Sequence, residues 1–502
     1  MAELPSSVGL PQEMMLGHLD YSLPPDSRSM SIKVLPSNIN TYQTSGFTVG
    51  GASATTYAGD VSIPSQNIIF DIPCGGSPSQ FMDTRFTTLN FQASCAITAI
   101  GTVASGTLFN AYQRGGGYSW FDRMYVTSQN GQIIEDIVEF GMVNDTLVNL
   151  QMNHSARSGV ANQYGFNPSM ADGLSQGHQW ALLSGTLAPA TTQIETHSYS
   201  IPLSSAVIGV LSDKFLNVGR TSKLQIILQT SSILPITYGT NAAWTAGATA
   251  QVTLSNFSLQ LEYVDIGINA LQMLDQTLVD GKSYIHGVTY RTTSATLASS
   301  TGFTSLLAGI RASSVKSLFC RFVSGGAAST TNGLHGKYNS FNPLLNNINF
   351  NVGGVKYPQA PINPLLLPSQ AFRETQMAIG SFNNAMFQSS IIPSQYCRLT
   401  AGGTVQSLLA GGTQEYSWNP PGVTTGQVAD APNAQSLFIF GENVEVCARR
   451  GLLSGLNCTS APIFVEMNLS AAPTNSHTMY VIAMIDQVLI HDVRSGDIQV
   501  RV

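Results

Sequence analysis

Three stretches of this chain alternate apolar and polar residues with a period of two. In "LNFQASCAI" Leu89, Phe91, Ala93, Cys95 and Ile97 fall on one side, in "FSLQLEY" Phe257, Leu259, Leu261 and Tyr263, and in "IFVEMNL" Ile463, Val465, Met467 and Leu469. Successive side chains of a strand point to opposite faces, so each stretch predicts a strand with one face in a core and the other polar or shared. Clusters of Gly, Pro, Asn and Ser separate such runs, as in "GGASATTYAGD", "CGGSPSQ", "SGGAASTTNGLHGK" and "NPPGVTTGQ". Many short strands joined in this way predict an all-β chain built as β-sandwiches or jelly rolls. Ser436–Ala471 is typical: two strand-like runs joined by a turn-rich "RRGLLSGLNCTSAP", with no evident catalytic side chain. Gly455 in that turn is expected to take a positive φ or to permit a close backbone approach.

Helical signals are few. The best are "DTLVNLQMN" near Asp145, "LSSAVIGVLSDKFL" from Leu203, and "PSQAFRETQMAIGSFNNAM" from Pro368, where Ser369 is placed as an N-cap. At 502 residues the chain is too long for one core. "DIGINALQMLDQTLVDGKS", Asp265–Ser283, follows one strong strand and precedes another set, which places the boundary there. The expected division is an N-terminal arm 1–45, a first unit 46–266, a linker 267–285 and a second unit 286–502. No short repeat period points to a solenoid or propeller.

Charged residues are only 10% of the chain, against about 25% in an average soluble protein. Small polar residues and 46 glycines stand in their place, which suits surfaces covered by neighbours. The net charge of −6 arises from scattered residues, and no Lys/Arg cluster supports binding to nucleic-acid phosphates. The N-terminal segment lacks the basic and apolar regions of a secretory signal, and no run approaches the ~18 apolar residues of a membrane helix. Cys74, Cys95, Cys320, Cys397, Cys447 and Cys458 are widely spaced without a CxxC pair. Six free thiols and a reducing compartment are expected.

Searches for chemistry return structural readings. "DGKS" at Asp280–Ser283 lacks the first glycine of a phosphate loop, since Gln276 stands there, and reads as a strand-entry turn. "GLLSG" around Ser454 is not a nucleophile elbow. His154, His178, His197, His286, His335 and His491 show no metal-ligand spacing. Glu135, Asp136 and Glu139 offer carboxylates for glycoside hydrolysis, but "GQIIEDIVEF" reads as a strand leaving a turn at Asn130-Gly131. Sequons at Asn144, Asn153, Asn256, Asn457 and Asn468 matter only in a secretory pathway. No catalytic, cofactor-binding or metal-ligating residue is assigned.

"SWFDRMYVTSQNGQIIEDI" (Ser119–Ile137), "YSIPLSSAVIGVLSDKFLNVGRTSKLQIILQ" (Tyr199–Gln229), "ASSVKSLFCRF", "NINFNVGGVKYPQAPINP" and "LLSGLNCTSAPIFVEMNL" occur in the order expected of one family. In them the chain resembles the double jelly-roll major capsid proteins of the polinton-like virus, virophage and large eukaryotic DNA virus lineage. The first two resemble the family's strand, glycine turn and acidic strand, and its passage through a short helix into a long strand. The third looks like the opening strand of the second barrel, the fourth like the loop that follows, and the last like the strands near its end. The resemblance implies two tandem eight-stranded jelly-roll β-barrels with a few short helices in loops, and a non-enzymatic role. It further implies homotrimeric, pseudo-hexagonal capsomers of an icosahedral DNA virus. The partners implied are neighbouring capsomers, penton and minor capsid or cement proteins, with no sequence-specific nucleic acid binding, no membrane insertion and no cofactor. The place implied is the virion, after assembly inside the host cell. Alternatives are a tandem β-sandwich adhesin or carbohydrate-binding surface protein, with Trp120, Trp180, Trp244 and Trp418 as available platforms, a β-sandwich hydrolase, and a minor capsid or penton protein.

Overall fold

The alternating runs are strands whose apolar sides are fully covered: Phe257, Leu259, Leu261 and Tyr263 are all 0% exposed. The computed structural model of the protein describes residues 27–39, 41–43, 47–49, 66–99, 108–111, 116–128, 131–165, 178–182, 188, 190–212, 215–231, 236–238, 248–276, 278, 280–324, 338, 340, 342–380, 389–391, 396, 437–445, 454–472 and 476–501. Eight principal strands make the first half: β1 Arg28–Val34, β2 Asn67–Ile72, β3 Gln80–Ala99, β4 Phe121–Ser128, β5 Ile133–Val138, β6 Thr192–Pro202, β7 Leu224–Thr230 and β8 Ala248–Asp265. Eight more make the second: β9 Lys282–Leu297, β10 Gly302–Ala308, β11 Val315–Ser324, β12 Leu345–Val352, β13 Val355–Ile362, β14 Ile439–Asn443, β15 Ile463–Leu469 and β16 His477–Asp492.

In the first half one sheet runs β1-β8-β3-β6 and the other β2-β7-β4-β5; in the second the orders are β9-β16-β11-β14 and β10-β15-β12-β13. Every one of these pairings is antiparallel. This is the jelly-roll order, in which successive strands cross between two facing sheets, and it occurs once in each half. The sheets meet through aromatic rings: Phe91 of β3 lies 5.3 Å from Phe121 of β4 in the first roll, and Phe350 of β12 lies 5.8 Å from Phe440 of β14 in the second. Short strands extend the framework: Thr41–Gln43 and Phe47–Val49 pair with β8, and Asp497–Arg501 with β16. Leu108–Ala111, His178–Leu182 and Ile236–Tyr238 form a small separate sheet.

Helices occupy connections. They are α1 Phe140–Gln151, α2 His154–Gly159, α3 Ala161–Tyr164, α4 Gly267–Asp275 and α5 Pro368–Ala378. Both α1 and α5 follow the fifth strand of their roll. α5 begins as expected, but Leu367 is its N-cap with Pro368 at the first position, so Ser369 does not cap it. It ends at Ala378, where Gly380 takes a positive φ of 77°. The segment from Leu203 is not a helix. The Ser205 hydroxyl accepts from the Val207 and Ile208 N–H groups, giving a compact turn instead.

The expected arm 1–45 and linker 267–285 also need correction. Met30 pairs with Tyr263 and Ile32 with Leu261, so β1 is an edge strand of the first roll. The connection between rolls is α4 and a turn at Asp280 and Gly281, with φ of 55° and 73°, and β9 already begins at Lys282. "NINFNVGGVKYPQAPINP" is not a loop but the β12–β13 hairpin, turned by Gly353 and Gly354.

α5 covers the free edge of β14. The Thr375 hydroxyl donates to the Ile439 carbonyl and accepts from the Gly441 N–H, satisfying backbone groups that an edge strand otherwise leaves open. Beside it Glu442 is 7% exposed, and its Oε2 has no hydrogen-bond partner among the described residues. Burial, and then the Glu374 carboxylate nearby, push Glu442 from the usual 4.5 up to about 8. The folded chain therefore holds this proton more tightly than the unfolded one, and stability falls as pH rises from about 4.5 towards about 8. Glu442→Gln is expected to flatten that decline, as read from denaturant midpoints at about pH 5 and about pH 9.

Gly455 needs room rather than a left-handed φ. A Cβ there would lie 2.5 Å from the Val315 carbonyl oxygen and 2.7 Å from the Ser314 carbonyl carbon, both backbone atoms. The approach is fixed by reciprocal Val315–Leu456 backbone bonds of 2.9 and 2.7 Å and by the Gly455 N–H donating to Ser314 Oγ at 2.8 Å. The Ser454 hydroxyl, which donates to Glu445, sits in the same turn. Gly455→Val is expected to cost about 1–3 kcal/mol or more through overpacking, and Ser454→Ala about 1 kcal/mol. Soluble yield and the guanidinium midpoint check the ranking, and equal behaviour of the two variants contradicts it.

Candidate functional site at the junction of the two rolls

α1 carries apolar residues at Phe140, Val143, Leu147 and Leu150, one stripe of a helix, and these join the hydrophobic core. Its other side carries Asp145 and Asn149, and 11 of its 12 residues are buried. That polar side is received by the second roll. Arg321 of β11 donates to Asp145 Oδ2 at 2.9 Å, Thr146 Oγ1 at 2.8 Å, the Met142 carbonyl at 3.3 Å and the Tyr338 carbonyl at 2.8 Å. Both side chains of the Arg321–Asp145 pair are 0% exposed. Next to it Arg157, pulled down to about 10 by burial, donates to Asn149 Oδ1 at 2.6 Å, and the Ser390 N–H reaches the Asn149 carbonyl at 3.0 Å.

A second buried group lies at Glu135 of β5, 3% exposed. It accepts from the Ser205 hydroxyl, from the Ala206 N–H at 3.0 Å and from Thr289 Oγ1 of β9 at 2.8 Å. Burial raises its pKa while these donors hold it down. One carboxylate thus ties a strand and a turn of the first roll to the first strand of the second. Backbone contacts continue the seam, with the Val288 N–H on the Leu211 carbonyl at 3.3 Å and the Ser222 N–H on the Gly496 carbonyl at 3.1 Å. Gly287 fits because a Cβ there would stand 2.8 Å from Ala206 Cβ. Outside, Arg220 grips Asp275 of α4 with two bonds of 2.6 and 2.8 Å.

The residues weighed for catalysis are absorbed by structure. Asp136 is held by Arg123 in two bonds of 2.7 Å, while Glu139 takes a φ of 58° to turn the chain into α1. Asn144 is buried and bonded to the Phe140 carbonyl. His491 is buried, which lowers its pKa, and sits 3.4 Å from Thr221 Oγ1. Trp120, 1% exposed, is no platform for a ligand. Among the described residues no group of three or more His, Cys, Asp or Glu side chains could hold a metal, and no helix is long and apolar enough to cross a membrane. Cys74, Cys320 and Cys458 are free thiols, Cys74 and Cys458 pushed up to about 11 by burial. His335, Cys397, Cys447, Trp244 and Trp418 lie outside the described residues, as do the side chains of His154, His178, Cys95 and Trp180.

Arg321 carries no signal in "SLFCRFVS" that it is buried, because a strand arginine ordinarily faces water. Removing one partner of such a pair leaves an uncompensated buried charge and costs about 3–5 kcal/mol, whereas replacing both by apolar groups can be neutral. Arg321→Met and Asp145→Leu are each expected to lower the denaturant midpoint by that order, and the double variant to recover much of the loss. A strictly additive double variant would show that the pair is not coupled.

No protein-family model matches the chain, and no curated protein matches it in sequence. Solved structures do resemble it. A chain from the cryo-EM structure of the Sputnik virophage has 12% identity and a TM-score of 0.53, over 98% of this chain and 91% of that one. The mavirus major capsid protein has 9% identity and a TM-score of 0.51 over 100% and 95%. The Faustovirus major capsid protein has 10% identity and a TM-score of 0.51 over 95% and 93%. The protein has the double jelly-roll fold of these capsid chains, along nearly the whole of its length.

Proposed function

We propose that the protein is a major capsid protein that assembles as homotrimeric, pseudo-hexagonal capsomers of an icosahedral DNA virus. The observation that carries this reading is the repetition of one strand order in two rolls joined by a buried, directional junction. Two similar units per chain let threefold symmetry present six similar barrels, which fits a site of hexagonal outline in a shell. The fold likeness to the mavirus and Faustovirus capsid proteins supports it, since both are matched almost end to end. Low charge and outer faces rich in Ser, Thr, Asn and Gln suit contact with neighbours. On this reading the chain is not an enzyme and works through shape and contacts. Its partners are two further copies, adjoining capsomers, and penton and minor capsid or cement proteins. The free thiols at Cys74, Cys320 and Cys458 support assembly in a reducing compartment before incorporation in the virion. The two rolls, Arg28–Asp265 and Lys282–Asp492, are its domains.

Obligate interfaces of this kind bury about 2,000–5,000 Å² and persist on dilution. Light scattering of the folded chain is expected to give three times the chain mass, with hexagonal or trigonal particles by negative-stain microscopy. A stable monomer overturns the proposal.

A further inference from the structure

The two helices that follow the fifth strands are built alike but are covered differently. In α5 Pro368, Ala371, Thr375 and Ala378 are buried; they repeat the spacing of Phe140, Val143, Leu147 and Leu150 in α1. With these stripes aligned, the sixth residue of each helix points away from its own roll. In α1 that residue is Asp145, fully buried against Arg321 of the other roll. In α5 it is Arg373, whose side chain is 50% exposed and whose ion pair is with the adjacent Glu374. Only 4 of the 11 residues of α5 are buried, against 11 of 12 in α1. Among the described residues, one chain thus covers the outer face of one such helix and leaves the corresponding face of the other partly exposed.

The strands that receive a helix also correspond. In β11 the register with β16 shifts before Ser317, and Leu318, Cys320 and Phe322 then point into the barrel. In β3 the register with β8 shifts before Thr88, and Leu89, Phe91 and Ala93 do the same. Arg321 is the fourth residue after the first of these points, and Gln92 the fourth after the second. Where Arg321 meets α1, Gln92 faces an open cup of about 340 Å³, lined by Lys33, Asn90, Ser198, Asn256 and Ser258 among others and, among the described residues, by no carboxylate. The cup is shaped by a bulge in β8 between Ser255 and Ser258, where Asn256 takes a φ of 56° and donates to Gln92 Oε1 at 2.6 Å. A non-glycine residue held left-handed at a bulge re-aims a side chain, here an amide, towards the outside.

We infer that the outward face of α5, with Arg373 at its centre, seats on the Gln92 cup of a second copy, repeating between chains the contact that α1 makes with Arg321 within one chain. This rests on the trimeric reading. The contact is heterologous, second roll to first roll, and such a contact closes into a ring when its rotation matches that of the junction inside the chain. The cup offers amide and hydroxyl oxygens to a guanidinium, so the donor lies on the helix here and on the strand inside the chain.

The test is made in the full chain by exchanging the polarity of the contact. Gln92→Arg and Arg373→Asp are each expected to raise the trimer dissociation constant about thirtyfold or more, while the denaturant midpoint of the dissociated chain stays unchanged. The double variant Gln92→Arg/Arg373→Asp rebuilds between copies the pairing of Arg321 with Asp145 and is expected to restore assembly. Sedimentation velocity over a dilution series reads all three. Single variants that assemble like the parent chain overturn this contact, and so does a double variant no better than the singles. A parent chain that is itself monomeric overturns the trimeric reading, and this contact with it.

Discussion

The architecture depends on one fully desolvated ion pair. Arg321 and Asp145 are each without exposed surface, and each belongs to a different roll. Taking two charges out of water costs several kcal/mol per ion, and their attraction offsets this only where the remaining donors are also satisfied. Here Thr146, Met142 and Tyr338 supply further acceptors to the two terminal nitrogens, while Arg321 Nε has no hydrogen-bond partner among the described residues, which keeps the net gain low. The net stabilisation is small, but the geometry is demanding. Apolar faces tolerate sliding and rotation, whereas a guanidinium placed among four oxygens accepts one orientation. The pair sets how the rolls meet, and the Glu135 contacts to Ser205, Ala206 and Thr289 fix the same orientation at a second point.

The outer faces of the held rolls carry neutral polar pairs. In the first roll Ser94 pairs with Thr196 across β3 and β6 at 2.8 Å, and Thr98 with Thr192 at 2.7 Å. Hydroxyl pairs of this kind satisfy each other without charge, so the face they line has a low desolvation cost. Lysines and glutamates in their place would hold water and carry ordering entropy. With only 10% charged residues in the chain, such groups are few.

The sequence made the strands readable wherever only one face is buried. "IFVEMNL" and "FSLQLEY" alternate because the opposite face is polar, and the buried sets are those that alternation predicts. It concealed elements whose burial comes from distant partners. "RSMSIKV" has four exposed positions at its start and reads as part of an arm, yet its backbone pairs with β8. "LSSAVIGVLSDKFL" has helical composition, but Ser205 competes for its backbone and Glu135, far away in the chain, takes the hydroxyl. Arg321 and Glu135 are polar residues buried by other elements, and period two says which side they face without saying what lies there. The family resemblance, and with it the tandem of two rolls, was legible from the order of strands and turns, but the correspondence of α1 with α5 was not, because the two rolls share a topology and a stripe spacing but few residues.

A chain with two rolls differs physically from two copies of one roll. The α4 connection makes the contact between the two rolls intramolecular, so its effective concentration is set by a tether rather than by dilution. A tethered contact can include fully buried charges, whose desolvation would penalise a bimolecular encounter. A contact between chains has to form from solvated surfaces and is better made of neutral amides and hydroxyls with a few exposed charges. Among the described residues Asp145, Glu135 and Arg157 are sealed within the chain, while Gln92, Asn90, Ser198 and the half-exposed Arg373 keep part of their surface exposed. The tethered junction is thus where this chain keeps its buried charges.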